Sequence, residues 1–157
     1  MLTLHHLEYS QSFRILWLLE ALGAEYELKS YNRNPETNLA PDDYKALSPL
    51  GTAPVITDGE VVLAESNAII DYILDSYPDS ELNPKAGHKD RVRHLFWYHS
   101  SPGSLMPLQS IEMVLGLLEM RSPWPISSLL KAVFGQVRKM FLNPRMQALL
   151  GEMEKDL

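Results

Sequence analysis

Cysteine is absent from all 157 residues. Its absence excludes disulfides, a protein thiolate nucleophile and cysteine-based metal sites together, and it points to an intracellular setting. Positive charge is also scarce. There are 14 Lys and Arg against 20 Asp and Glu, a formal net charge of -6. Sequence-independent binding of nucleic acid needs clustered cations, so no nucleic-acid partner is expected. No apolar run approaches the roughly 20 residues that span a bilayer. No basic, apolar and small-residue succession opens the chain either, because Met1 runs directly into "LTLHHL". The expectation is a soluble, cytoplasmic protein with no membrane partner. Motifs for nucleotides, serine hydrolases and zinc proteases (GxGxxG, a Walker loop, GxSxG, HExxH) are missing too. His5 and His6 are neighbours in a strand-like run, so they point to opposite faces and cannot chelate one ion together. No metal is expected.

What the chain does contain is core-forming material. It is 45% hydrophobic and 22% charged, enough to fold as one domain or two small ones. Residues 2 to 7 read as a strand. Residues 12 to 22 are apolar nearly all round and end at Gly23, which predicts a helix buried on most of its circumference. "YELKSY", residues 26 to 31, reads as a second strand, parallel to the first through a crossover. A region rich in Asn, Pro and Asp follows, with one short helix around "DDYKAL". "PVIT" and "EVVL" then flank Asp58-Gly59, the dipeptide of a type I′ hairpin. In "ESNAIIDYILDSY" the apolar residues Ile69, Ile70, Ile73, Leu74 and Tyr77 share one face, with Ser66 as a plausible N-cap.

This order predicts an α/β module over residues 1 to 80, with a linker over 81 to 87 inside a stretch rich in Pro and Gly. Residues 88 to 157 read as helical. Pro102, Gly103 and Pro107 should interrupt that pattern, "SPWP" at 122 to 125 should turn it, and helices are expected around 127 to 142 and from Pro144. Two or three amphipathic helices leave apolar surface uncovered, which a partner chain or further sequence would have to cover.

Three stretches of the α/β module can meet where strands end and helices begin, the usual place for ligands in such folds. Tyr9, Ser10 and Ser12 stand at the first strand's end. A serine hydroxyl near a helix N-terminus can donate to an anion such as a ligand thiolate and so raise its ionised fraction. "TAPV", residues 52 to 55, can form a tight turn with a cis proline and leave main-chain groups for an extended ligand. Glu65 and Ser66 fit an amino-acid head group, Glu65 accepting from its ammonium and Ser66 donating to its carboxylate. Taken singly, each has a plainer reading as a helix cap or turn.

Taken together, residues 2 to 77 resemble the thioredoxin-like N-terminal domain of the cytosolic glutathione transferases. The motifs that carry the resemblance are "HHLEYSQSFRILWLLEALG", "YKALSPLGTAPVITDGEVVLAESNAIIDYI" and, more loosely, "FWYHSSPGSLMPL". The resemblance implies a βαβ-α-ββα domain followed by an all-α C-terminal domain, incomplete here because relatives continue beyond the position of Leu157. It implies glutathione as co-substrate, with Ser10, four residues before Arg14, stabilising its thiolate, and Tyr9 as the competing candidate. Thr52, Ala53, Pro54 and Val55 would meet the peptide, Val55 through its main chain, and Glu65 and Ser66 would hold the γ-glutamyl head. Thr52 stands where many members carry a cation for the glycyl carboxylate and can offer only a hydrogen bond. A small hydrophobic electrophile would sit between the domains, bordered by Tyr9, Tyr98, Met106 and Met113. A homodimer is implied, as is conjugation, with peroxide reduction also open. Mixed-disulfide chemistry through a protein cysteine is excluded. The alternatives are a glutathione-transferase-like binding or scaffold protein without turnover, and a plain thioredoxin-fold interaction domain without a glutathione site.

Overall fold

The computed structural model describes residues 1 to 156. The chain forms two compact units, Met1–Ala86 and one that begins at Gly87.

In the first unit the alternation of "LTLHHL" places an extended strand, β1 (Leu2–Leu7), at the centre of a sheet ordered β2-β1-β3-β4. Helix α1 (Ser12–Leu22) follows and ends where Gly23 adopts the left-handed φ of 61°, which lets Ala24 N–H close onto Leu19 O at 3.0 Å. β2 (Glu27–Tyr31) pairs parallel with β1, from Thr3↔Glu27 to Leu7↔Tyr31. After the short α2 (Asp42–Lys45), β3 (Val55–Asp58) runs antiparallel to β1, and β4 (Val61–Ala64) antiparallel to β3. Helix α3 (Ser66–Asp75) completes a thioredoxin-like mixed sheet with helices.

The period-2 pattern of β1 sorts two cores. Leu4 joins Ile15, Leu18 and Leu19 of α1 and Ile69, Ile73 and Leu74 of α3 on one face. Leu7 joins Tyr31, Tyr44 and Val55 on the other. Each such fully buried side chain contributes roughly 1.5–3 kcal/mol relative to exposure.

Three local expectations are corrected. Helix α1 is buried on one side only, because a helix lying on a sheet covers one stripe. Phe13 and Trp17, four residues apart on another stripe, are 64% and 58% exposed. In the hairpin Asp58 pairs with Val61, so Gly59 and Glu60 form the turn. Of these two only Gly59 has a positive φ, 58°, the pattern of a type II′ rather than a type I′ turn. Ser66 is the first helical residue of α3. The N-cap is Glu65, whose carbonyl accepts from Ile69 N–H at 3.0 Å, and no side chain caps the helix.

The second unit is built of helices: α4 (Arg91–Ser100), α5 (Met106–Arg121), α6 (Ile126–Val137) and α7 (Asn143–Asp156). The interruption expected at Pro102 and Gly103 takes the form of a π-helical turn, Ser101–Leu105, that joins α4 to α5. A widened turn tolerates the N–H that proline lacks. A second such turn, Arg138–Leu142, joins α6 to α7, and the Trp124–Pro125 bond before α6 is cis. Ion pairs tie the helices: Arg138 to Glu112 at 2.8 Å and Glu119 at 2.6 Å, Arg93 to Asp156 and, at 3.5 Å, to Glu152. Apolar burial is thin. Leu108 and Leu142 are buried, whereas Met120, Trp124 and Met140 are each more than 70% exposed.

Candidate functional site

The register of the sheet brings the ends of three connections together. Val55 pairs with both His5 and Ala64, so the turn before β3 lies beside the end of β1 and the start of α3. Across this end Ser66 Oγ donates to Gln11 Oε1 at 3.1 Å, which links the N-termini of α1 and α3. Two helix N-termini in one place supply positive partial charge, a setting that favours anions.

At the end of β1 the backbone turns at Tyr9, with φ 49°, and its ring is 90% exposed. The loop is braced by Arg33, whose Nε donates to Glu8 O at 3.0 Å and whose Nη2 donates to Tyr9 O at 3.3 Å. Arg33 Nη1 also donates to Asn38 O at 2.9 Å, while its own N–H reaches the Glu8 carboxylate at 2.6 Å. Nothing in the sequence pattern singles out Arg33, because its partners are main-chain oxygens.

Ser10 is half-buried and sits inside a network. Its Oγ lies 2.6 Å from Leu7 O and 2.7 Å from Ser12 Oγ, and it accepts from Ser12 N–H at 3.2 Å. Ser12 is fully buried, and its Oγ lies 2.9 Å from His6 Nδ1. The N-cap position of α1 is Gln11, with no side-chain cap of the usual kind. Neither serine is therefore the N-cap, although Ser10 satisfies the first helical N–H.

The Ala53–Pro54 bond is cis. Thr52 is exposed and Ala53 half-buried, but Val55 has no accessible surface. The Tyr44 hydroxyl, in one core cluster with Val55, donates to His5 O at 3.3 Å. Burial pushes the Tyr44 hydroxyl up to about 12, with nearby Arg33 opposing. His5, on the same face, bonds Tyr31 at 3.0 Å and Thr57 at 3.1 Å, and burial with nearby Lys29 holds its pKa below the usual value.

Glu65 stands out. It is exposed, with φ 78° and ψ 123°, a conformation that L-residues rarely adopt and that clusters at functional sites. Tyr98, Met106 and Met113 belong to the helical unit. Tyr98 is half-buried and stacks on His94 at 5.6 Å, Met106 is half-buried, and Met113 is 61% exposed. Among the described residues no group of three or more His, Asp or Glu is placed to hold a metal ion, and no helix is long and apolar enough to cross a membrane.

Residues 1 to 75 match the family described as glutathione S-transferase, N-terminal domain. The first 75 residues therefore form a domain of this glutathione S-transferase N-terminal family. Similar relatives are glutathione S-transferase 3 of Schizosaccharomyces pombe, 38% identical over 117 residues, and glutathione S-transferase 1 of Saccharomyces cerevisiae, 32% identical over 146 residues. These alignments cover 74% and 87% of this chain but only 48% and 61% of the relatives, so the chain spans about half to three-fifths of their length. Among solved structures, a glutathione S-transferase of Actinobacillus pleuropneumoniae is 39% identical with a TM-score of 0.66, covering 87% of this chain and 62% of its own. A glutathione-bound theta-class enzyme of Xanthomonas axonopodis pv. citri is 29% identical with a TM-score of 0.54, over 78% of this chain and 56% of its own. The glutathione S-transferase fold thus accounts for the mixed sheet and for the junction at which the candidate residues meet.

Proposed function

We propose that this glutathione S-transferase family member activates the thiol of glutathione for attack on a small hydrophobic electrophile, a detoxifying conjugation in the cytoplasm. One observation carries the reading: the α1 and α3 N-termini are joined through Gln11 and Ser66, beside the turn at Pro54 and the strained Glu65. Glu65 accepts from the γ-glutamyl ammonium, and the Ser66 main-chain N–H at the start of α3 receives its carboxylate, the Ser66 hydroxyl being held by Gln11. The cysteinyl main chain meets the segment Ala53, Pro54, Val55, and the half-buried Ala53 is reached first. Thr52 gives the glycyl carboxylate a hydrogen bond in place of an ion pair.

Ser10 then stands near the sulfur. A free thiol titrates at about 8.5, and each unit of lowering corresponds to about 1.4 kcal/mol of preference for the thiolate. A hydrogen bond to a charged group contributes about 1.5–3 kcal/mol and a helix N-terminus about 0.3–1 kcal/mol. Together they suffice for one to two units. The thiol proton leaves to water. The thiolate forms the new S–C bond, and the electrophile's leaving group departs with the electron pair. The chain is assigned to a homodimer. Exposed apolar residues such as Val62 on the edge strand β4, 53% exposed, support the dimer, which sedimentation would test.

The decisive experiment is calorimetry with glutathione followed by a conjugation assay of wild type, Ser10→Ala and Tyr9→Phe. Binding, turnover and loss of turnover in Ser10→Ala are expected. Binding without turnover would leave a non-catalytic binding module, and no binding at millimolar glutathione would leave an interaction domain. Full activity in Ser10→Ala with loss in Tyr9→Phe would transfer the role to Tyr9.

A further inference from the structure

A line of hydrogen bonds runs from a histidine to the serine that the proposed function places at the sulfur. His6 Nδ1 lies 2.9 Å from Ser12 Oγ, Ser12 Oγ lies 2.7 Å from Ser10 Oγ, and Ser10 Oγ lies 2.6 Å from Leu7 O. Ser12 has no accessible surface, so its hydroxyl must find all its partners inside the protein.

The donors and acceptors can be counted. Ser12 Oγ accepts from Leu7 N–H at 3.2 Å. With a proton on His6 Nδ1, that nitrogen fills the second lone pair of Ser12 Oγ, which can then no longer accept from Ser10. The Ser12 proton is directed at Ser10 Oγ, the nearer of its two acceptors, Leu7 O being 3.2 Å away. Ser10 Oγ also accepts from Ser12 N–H at 3.2 Å, so both its lone pairs are filled and its own proton is its only remaining valence. At rest this proton goes to Leu7 O. A nearby sulfur anion is a better acceptor, and the proton turns to it while Ser10 Oγ stays anchored by two donors.

We propose that His6 and Ser12 are positioning residues: a donor chain, His6 to Ser12 to Ser10, aims and polarises the Ser10 hydroxyl toward the glutathione thiolate. The inference rests on the assignment of Ser10 to the sulfur. Successive donors strengthen the last bond of a chain, and two fixed acceptor sites remove the rotational freedom of the terminal hydroxyl. No local pattern points to it, since His6 carries no motif and Ser12 reads as the start of a helix.

The test is the ultraviolet titration of the thiol of bound glutathione in full-length wild type, Ser10→Ala, Ser12→Ala, His6→Leu and His6→Asn, with S-methylglutathione affinity measured in parallel. His6 is half-buried, so His6→Leu keeps the question open even where Ser12→Ala folds poorly. His6→Leu and Ser12→Ala should each lower the thiolate fraction at fixed pH by roughly threefold to tenfold. His6→Asn, which offers an amide N–H near the place of Nδ1, should restore most of it, and S-methylglutathione should bind all variants as it binds wild type. Wild-type titration in both His6→Leu and Ser12→Ala, with an altered one in Ser10→Ala, would overturn the relay and leave the Ser10 assignment standing. Parallel loss of S-methylglutathione affinity in His6→Leu would also overturn it, by reducing the role of His6 to folding. Wild-type titration in Ser10→Ala, or no glutathione binding in the wild type, would instead remove the Ser10 assignment and the relay with it.

Discussion

Ser66 Oγ donates to Gln11 Oε1 at 3.1 Å across 55 positions of sequence, and this one contact brings the start of α3 to the start of α1. Ser66 is buried to 9% exposure, so the bond is shielded from competing water. It makes one junction of two helix ends, each of which alone is an ordinary helix start.

A double-mutant cycle of Gln11→Ala and Ser66→Ala in urea unfolding should return a coupling of about 1 kcal/mol, the usual size for a partly buried neutral hydrogen bond. Additive effects would mean that the two side chains do not hold the helix ends together. Ser66→Ala alone should also weaken glutathione binding severalfold, since the end of α3 proposed to receive the carboxylate is then no longer held to α1.

Glu65 carries strain that a glycine would not. Positive φ at a non-glycine residue costs about 1–3 kcal/mol, and the flexibility of glycine in the unfolded chain returns about 0.5–1 kcal/mol of that. Glu65→Gly should therefore raise the unfolding free energy while weakening glutathione binding. A variant less stable than wild type would show that the backbone at 65 is not under strain.

Acid should destabilise the first unit through His5. Its folded pKa is lowered by burial first and by Lys29 second, so the unfolded chain binds a proton near the ordinary value of 6.5 before the folded protein does. The contribution is complete above that pH and is lost as pH falls through it. The drop in unfolding midpoint between pH 7.5 and 5.5 (about one unit either side of the ordinary His value) should be smaller in His5→Asn than in wild type. An equal drop in both would contradict the assignment.

Arg33→Lys is not conservative here. A lysine ammonium cannot reach Glu8 O, Tyr9 O and Asn38 O from one planar fork. Hydrogen exchange at residues 8 to 10 should speed up by about tenfold or more in the variant, with the core strands unchanged. Unchanged exchange in the loop would show that Arg33 does not brace it.

Much of this fold is legible in the chain because period and punctuation agree. The alternation in "LTLHHL" sorts Leu4 and Leu7 to different cores, and Gly23 ends α1 in the left-handed conformation it was chosen for. Where pattern misleads, the cause is tertiary. Phe13 and Trp17 look like core residues because hydropathy does not say how many sides of a helix are covered. The turn slips by one residue because pairing of Asp58 with Val61 outweighs the dipeptide preference. The site is legible only as residue types: Ser10, Glu65 and Ser66 were candidates, but Gln11, Arg33, His6 and the occlusion of Val55 follow from long-range geometry that no local spacing encodes.

The central claim is that Ser10 stabilises the thiolate of bound glutathione, and the most direct measurement is the pKa of that thiol on wild type and on Ser10→Ala. The account predicts a wild-type value at least one unit below the free value of about 8.5, with most of the lowering lost in Ser10→Ala. An equally lowered value in Ser10→Ala, abolished instead in Tyr9→Phe, would contradict it.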